Sequence, residues 1–230
     1  MAKLTATWDD VWLLDGMRTP FSDLGGPLSL VSATDLGIKA ARAVLDHSGA
    51  PADDIGSVIA GNVAQTSFDA FCLPRHIGLY AGAPIEAPAH LVQRVCGTGM
   101  EILAQAADTL TLGRAELVVC VGTESMSRNP VAAYTHRNGF RLGQVEFKDF
   151  LWEALLDPAP DATMGHTAEN LARSHQISRE DVDAYAARSF NRALAAREDG
   201  YFDDEIVPVT SETFERDGFE PRDIRLSRKV

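Results

Sequence analysis

A cysteine set between a strand and a helix is the residue of this sequence best placed to do chemistry. Cys96 follows AHLVQRV (89–95) and precedes GTGMEILAQAADTLTLG (97–113). The first run reads as a strand and the second as a helix. A thiol at such a junction meets the unpaired amide N–H groups and the positive end of the helix dipole, both of which favour a thiolate. Gly97 and Gly99 let a substrate carbonyl approach the sulfur, and the amide hydrogens nearby can receive an oxyanion. On spacing alone, two readings stay open, a nucleophile or an inert core cysteine. Cys72 and Cys120 lack that setting, and Cys120 falls inside a strand run that reads as core. An odd number of widely spaced cysteines points to a reducing, cytoplasmic setting, with no disulfide framework and no metal site.

The elements that position Cys96 follow from periodicity and punctuation. VWLLD (11–15) reads as a short buried strand, and residues 18–27, with Pro20, Gly25, Gly26 and Pro27, as a loop. Ser32 caps a helix running to about Ser48, with Gly49 as its stop. A strand over 55–60, a helix over 70–81, a strand over 89–95, the helix after Cys96 and a strand over 115–121 complete an alternating series. That order predicts an α/β fold with a mostly parallel sheet covered by helices. The helix after Cys96 is apolar around most of its girth, with Glu101, Gln105 and Asp108 as a narrow polar stripe, so it is expected to be covered on most sides.

Beyond Gly122 the texture changes. Residues 126–165 read as a long functional loop region with short helices. Ser178 caps a helix from Arg179 to about Asp199, with Val182, Tyr185, Phe190 and Leu194 on its apolar side. EIVPV (205–209) reads as an edge segment because of Pro208, and 211–230 as a charged tail without pattern.

Composition narrows the function classes. The chain has 230 residues, 45% hydrophobic and 23% charged, which suits one or two globular domains. A formal charge of −12 argues against nucleic acid as a partner, though a local basic patch for a phosphate-bearing ligand stays compatible with it. No apolar run is long enough for a membrane span, and the amino terminus shows no secretory signal.

The blocks around Cys96 resemble those of the thiolases, the acetyl-CoA acetyltransferases and 3-ketoacyl-CoA thiolases. VQRVCGTGM (92–100) is similar to the family's nucleophile motif. RTPF (18–21), GNVAQ (61–65), GTESMS (122–127), MGHTAENLA (164–172), ISREDVDAYAARS (177–189) and GYFDDEIVPV (200–209) follow in family order. Two positions depart: Gln93 stands where the family usually has Asn, and Thr163 where biosynthetic members have His. The second departs from the pattern of acetoacetyl-specific members and allows a longer-chain or unusual acyl substrate.

The resemblance implies a thiolase-like layered fold with an inserted loop domain. It divides the chain into a sheet domain (1–125) and a loop domain (126–230), with the family's carboxy-terminal domain absent. It implies acyl exchange between 3-ketoacyl-CoA or acetyl-CoA and CoA through an acyl-cysteine at Cys96, whose own amide N–H joins an oxyanion hole. Leu151 and Met164 match positions lining the pantetheine and acyl pocket. Of Arg222, Arg225, Arg228 and Lys229, Arg225 is the choice for the nucleotide end of CoA, against a solvated tail. His166 lies beside the pocket block with no role assigned. Coenzyme A is a substrate, with no permanently bound cofactor. The family's Asn-Glu-Ala-Phe, Gly-His-Pro and Cys-x-Gly motifs are not found in this sequence. The expectation is therefore an amino-terminal thiolase half, active when a second chain or the remaining half completes it, in a homo- or hetero-oligomer. Alternatives are a non-catalytic thiolase-like scaffold subunit and a ketoacyl-synthase-like condensing enzyme.

Overall fold

The computed structural model describes residues 5–65, 69–134 and 136–228. They form two compact units, Met1–Asn129 with Val207–Val230, and Pro130–Ile206.

The first unit is built on α1 (Ala33–Ser48), β1 (Ser57–Gly61), α2 (Leu73–Ala81), β2 (Ala89–Val92), α3 (Thr98–Thr111) and β3 (Val118–Gly122). The three strands form a parallel sheet in the order β2-β1-β3, with Ile59 opposite both His90 and Cys120. Central β1, SVIAG, is buried along its length, as a strand covered on both faces requires. Alternation sorts the sheet's side chains. Val58, Ala60, Val119 and Val121 join Ile38, Leu45, Leu73 and Ile77 of α1 and α2 in the larger core. Ile59 and Val92 face the other way, onto Ile102 and Ala106 of α3. Each fully buried side chain of this kind contributes about 1.5–3 kcal/mol. Ser32 caps α1 by accepting from the Asp35 N–H, and Gly49 ends it in the left-handed region, as expected.

The second unit carries small antiparallel pairs and three helices. They are β4 (Val131–Ala132) with β5 (Lys148–Asp149), α4 (Phe150–Leu155), β6 (Leu156–Asp157) with β7 (Ala162–Thr163), α5 (Met164–His175) and α6 (Arg179–Glu198). Ser178 and Asp181 close a reciprocal capping box on α6. Val182, Tyr185, Phe190 and Leu194 lie exposed there, so the apolar side read from the sequence is uncovered. Helix α5 has no counterpart among the elements read from the sequence. Its apolar content is low, and Thr163 caps it by accepting from the His166 N–H.

Three expectations are corrected. VWLLD is no strand. Among the described residues no strand pairs with it, and Trp12, Leu13 and Leu14 are 77%, 81% and 68% exposed. An extended run needs a neighbouring edge to become a strand, and composition cannot reveal whether one is present. Helix α3 is covered on the side of Thr98, Ile102, Ala106 and Ala107, whereas Met100 is 74% exposed. The tail, placed with 126–230, returns to the first unit. Its hairpin β8 (Thr213–Phe214) with β9 (Arg222–Asp223) turns at the left-handed Gly218. Phe214 and Ile224 are buried in the larger core, where the Arg42 guanidinium lies 4.9 Å from the Phe214 ring. Arg222 bridges Asp35 at 2.7 Å and Asp69 at 2.5 Å. EIVPV keeps only part of its edge: Glu205 lies in a turn, Ile206 makes a single bridge, and the Val207 N–H donates to the Arg18 carbonyl at 2.9 Å.

Candidate active site

Chain direction in a parallel sheet puts the carboxyl ends of β1, β2 and β3 on one edge, where ligands of open α/β sheets bind. Three turns leave that edge: 62–65 after β1, 93–97 after β2 and 123–127 after β3.

Glu124 ties the first and third turns together. One carboxylate oxygen accepts from the N–H groups of Val63 and Ala64, both at 3.1 Å. The other accepts from Asn62 Nδ2 at 3.1 Å and from the Ser125 N–H at 3.3 Å. Asn62, 3% exposed, also donates to the Thr123 carbonyl and accepts from the Gln65 N–H. Ser125 and Thr123 donate in turn to the carbonyls of Val31 and Ala33 at the start of α1.

The middle turn carries Cys96. Strand β2 stops at Val92, three residues short of the sequence reading, because Val95 takes a left-handed φ of 48° and reverses the chain. Gly97 donates to the Arg94 carbonyl at 3.0 Å, and Thr98 to the Val95 carbonyl at 3.1 Å. These two amides are therefore engaged within the turn, and of the amide hydrogens near the sulfur neither is free to receive an oxyanion. Cys96 itself is exposed at the corner. Arg94 reaches along α3 to pair with Glu101, and that bond with the one from Gln105 holds the Glu101 carboxyl below its usual range.

The other thiols divide as their surroundings dictate. Cys120 faces α3, its sulfur 3.8 Å from the Ile102 carbonyl, and burial pushes its thiol up to about 11. It is core, as the sequence reading holds. Cys72 is exposed and stands at the residue before α2, so it has a helix-end setting that the sequence reading missed.

Leu151 and Met164 belong to the second unit, with His166. Leu151 lies half-buried in the first turn of α4. Met164 opens α5 and is 53% exposed. The hairpin β6–β7 joins the end of α4 to the start of α5, so one local device presents both helices. In the tail, Arg225 is exposed and pairs with Asp223 at 3.0 Å. Arg222 is instead the partly buried anchor. Burial opposes its charge, but the bonds to Asp35 and Asp69 prevail and strengthen its hold on the proton. Lys229 lies outside the described residues. Among the described residues no group of three or more His, Cys, Asp or Glu could hold a metal ion, and no helix is long and apolar enough to cross a membrane.

The family model for the thiolase N-terminal domain matches residues 11–224. The chain belongs to the thiolase family. Human mitochondrial 3-ketoacyl-CoA thiolase is 42% identical over 204 residues, 88% of this chain and 51% of that protein. Beta-ketothiolase BktB of Cupriavidus necator is 40% identical over 202 residues, again 88% and 51%. The solved structure of the human mitochondrial enzyme in complex with CoA superposes with a TM-score of 0.82 at 40% identity, covering 92% of this chain and 52% of that one. The fold is thus thiolase-like α/β, and the family is one of acyltransferases. The chain spans about half the length of the curated relatives it matches. The human relative is named mitochondrial, so it lends the cytoplasmic expectation no support.

Proposed function

We propose that this chain carries the acyl-accepting half of a thiolase-type site, with Cys96 as nucleophile. The sulfur attacks the carbonyl carbon of an acyl-CoA. A carbon–sulfur bond to Cys96 forms, the bond to the CoA sulfur breaks, and CoA leaves with the proton the thiol gives up. With a 3-ketoacyl-CoA the attack falls on the keto carbon, the adjacent carbon–carbon bond breaks, and the departing acetyl-CoA carbanion takes the proton. Splitting the exchange through an acyl-cysteine replaces one hard step by two easier ones.

The observation that carries this reading is the exposed Cys96 on a left-handed turn at the carboxyl edge of a parallel sheet, in a chain of the thiolase family. Leu151 and Met164 line the pantetheine and acyl side, and Arg225 meets the nucleotide phosphates. Coenzyme A is substrate, with no resident cofactor. Groups that move the protons come from a second polypeptide or from the remainder of this one, in a homo- or hetero-oligomer. The uncovered Met100 of α3 and Leu112 just after it, 74% and 62% exposed, support such a completing surface.

The test is acetyl transfer from acetyl-CoA followed by peptide mapping with mass spectrometry. One acetyl group on Cys96, lost in Cys96→Ser, is the expected result. No adduct at Cys96 favours the scaffold reading. Cleavage of acetoacetyl-CoA at full enzymatic rate by the purified chain alone overturns the requirement for completion.

A further inference from the structure

We propose that Thr98 and Gln93 are positioning residues that hold Val95 in its left-handed conformation and thereby aim Cys96. The proposal rests on the reading of Cys96 as acyl acceptor. A β-branched residue at φ 48° is strained, and such strain persists only where the surroundings over-determine it.

The surroundings here are two side chains. The Val95 N–H donates to Gln93 Oε1 at 3.1 Å. The Val95 carbonyl accepts from Thr98 Oγ1 at 2.6 Å as well as from the Thr98 N–H. Thr98 Oγ1 also accepts from the Arg94 N–H at 2.8 Å. One hydroxyl, on a residue only 6% exposed, thus clamps both residues before Cys96. The clamp is fixed to the sheet: a Cβ on Gly61 would lie 2.4 Å from the Thr98 Cγ2. Glycine at 61 therefore leaves the space in which the threonine methyl sits. Gln93, the departure from the usual Asn of the family, has an amide oxygen that reaches the N–H two residues on.

The test uses the full chain and compares acetylation of Cys96 by acetyl-CoA with its alkylation by iodoacetamide, a reagent indifferent to oxyanion geometry. Thr98→Val is expected to slow acetyl transfer about tenfold or more while alkylation stays within about threefold, and Thr98→Ser to restore transfer to within about threefold. Gln93→Ala, at an exposed position, is expected to slow transfer without unfolding the chain, and Gln93→Asn to preserve it. Unchanged acetyl transfer in both Thr98→Val and Gln93→Ala overturns the proposal, as does an equal fall in both reactions. An arm independent of acyl chemistry is Val95→Asn, which relieves the strain at an exposed site and is expected to raise the unfolding midpoint by roughly 2–4 °C. A lowered midpoint overturns the clamp. A wild-type Cys96 that takes no acetyl group overturns the nucleophile reading, and the Val95→Asn shift then decides the clamp alone.

Discussion

Arg222 of the tail hairpin and Asp35 of the first turn of α1 meet at 2.7 Å, though 187 residues separate them in sequence. Asp35 also accepts from the Ser32 hydroxyl, and Arg222 reaches Asp69 as well. One guanidinium thus joins the cap of the first helix, the approach to the second and the end of the chain. Arg222→Met removes the guanidinium that two largely buried carboxylates share and is expected to cost roughly 3 kcal/mol in denaturant unfolding. Adding Asp35→Asn and Asp69→Asn to it recovers most of that loss.

His76 sits beside this cluster and supplies a pH dependence. Its Nδ1 is buried without a hydrogen-bond partner among the described residues, and burial, helped by Arg222, lowers its pKa from the ordinary 6.5 against the pull of Asp69 and Asp35. A depressed folded value means the unfolded chain binds the proton more readily. The contribution is complete above the unfolded value and is lost as pH falls through it toward the folded value. Stability is therefore expected to drop as pH is lowered from 7 to 5. His76→Gln flattens that part of the profile in urea titrations at fixed pH values.

Phe214 is fully buried against α1 and α2. Phe214→Ala is expected to cost about 3–5 kcal/mol and to release the hairpin to proteolysis between residues 207 and 228. A cost under about 1 kcal/mol contradicts its place in the core.

Gly61→Ala places a methyl on the Thr98 side chain and is expected to destabilise by about 1–3 kcal/mol. Calorimetry reads the loss, and a neutral result means α3 can shift away from the sheet freely.

Native-state labelling with iodoacetamide is expected to modify Cys72 and Cys96, both exposed, and to spare Cys120 until denaturant is added. Mass spectrometry of the intact chain counts the labels.

What could be read in the sequence were features with local causes. Ser32 and Gly49 bound α1, Ser178 opens α6, and the strand–cysteine–glycine junction sets Cys96 before α3, because caps and periodicity act over a few residues. Features with distant causes were hidden. VWLLD has the composition of a strand, yet a strand exists only against a partner. The hairpin of the tail has two residues per strand, too few for alternation to register, although Asp217-Gly218 marks its turn. The clamp on Val95 was veiled for another reason: Gln93 and Thr98 act through hydrogen bonds to backbone groups, which side-chain patterns do not encode.

The return of residues 207–228 to the first unit has a consequence for biosynthesis. The unit from Pro130 to Ile206 is continuous in sequence, and all of it is made before residues 207–228. Phe214 and Ile224 complete the larger core, so α1 and α2, made first, wait with part of their apolar faces open until those residues are synthesised. A chaperone that shields the first 130 or so residues would act in that interval.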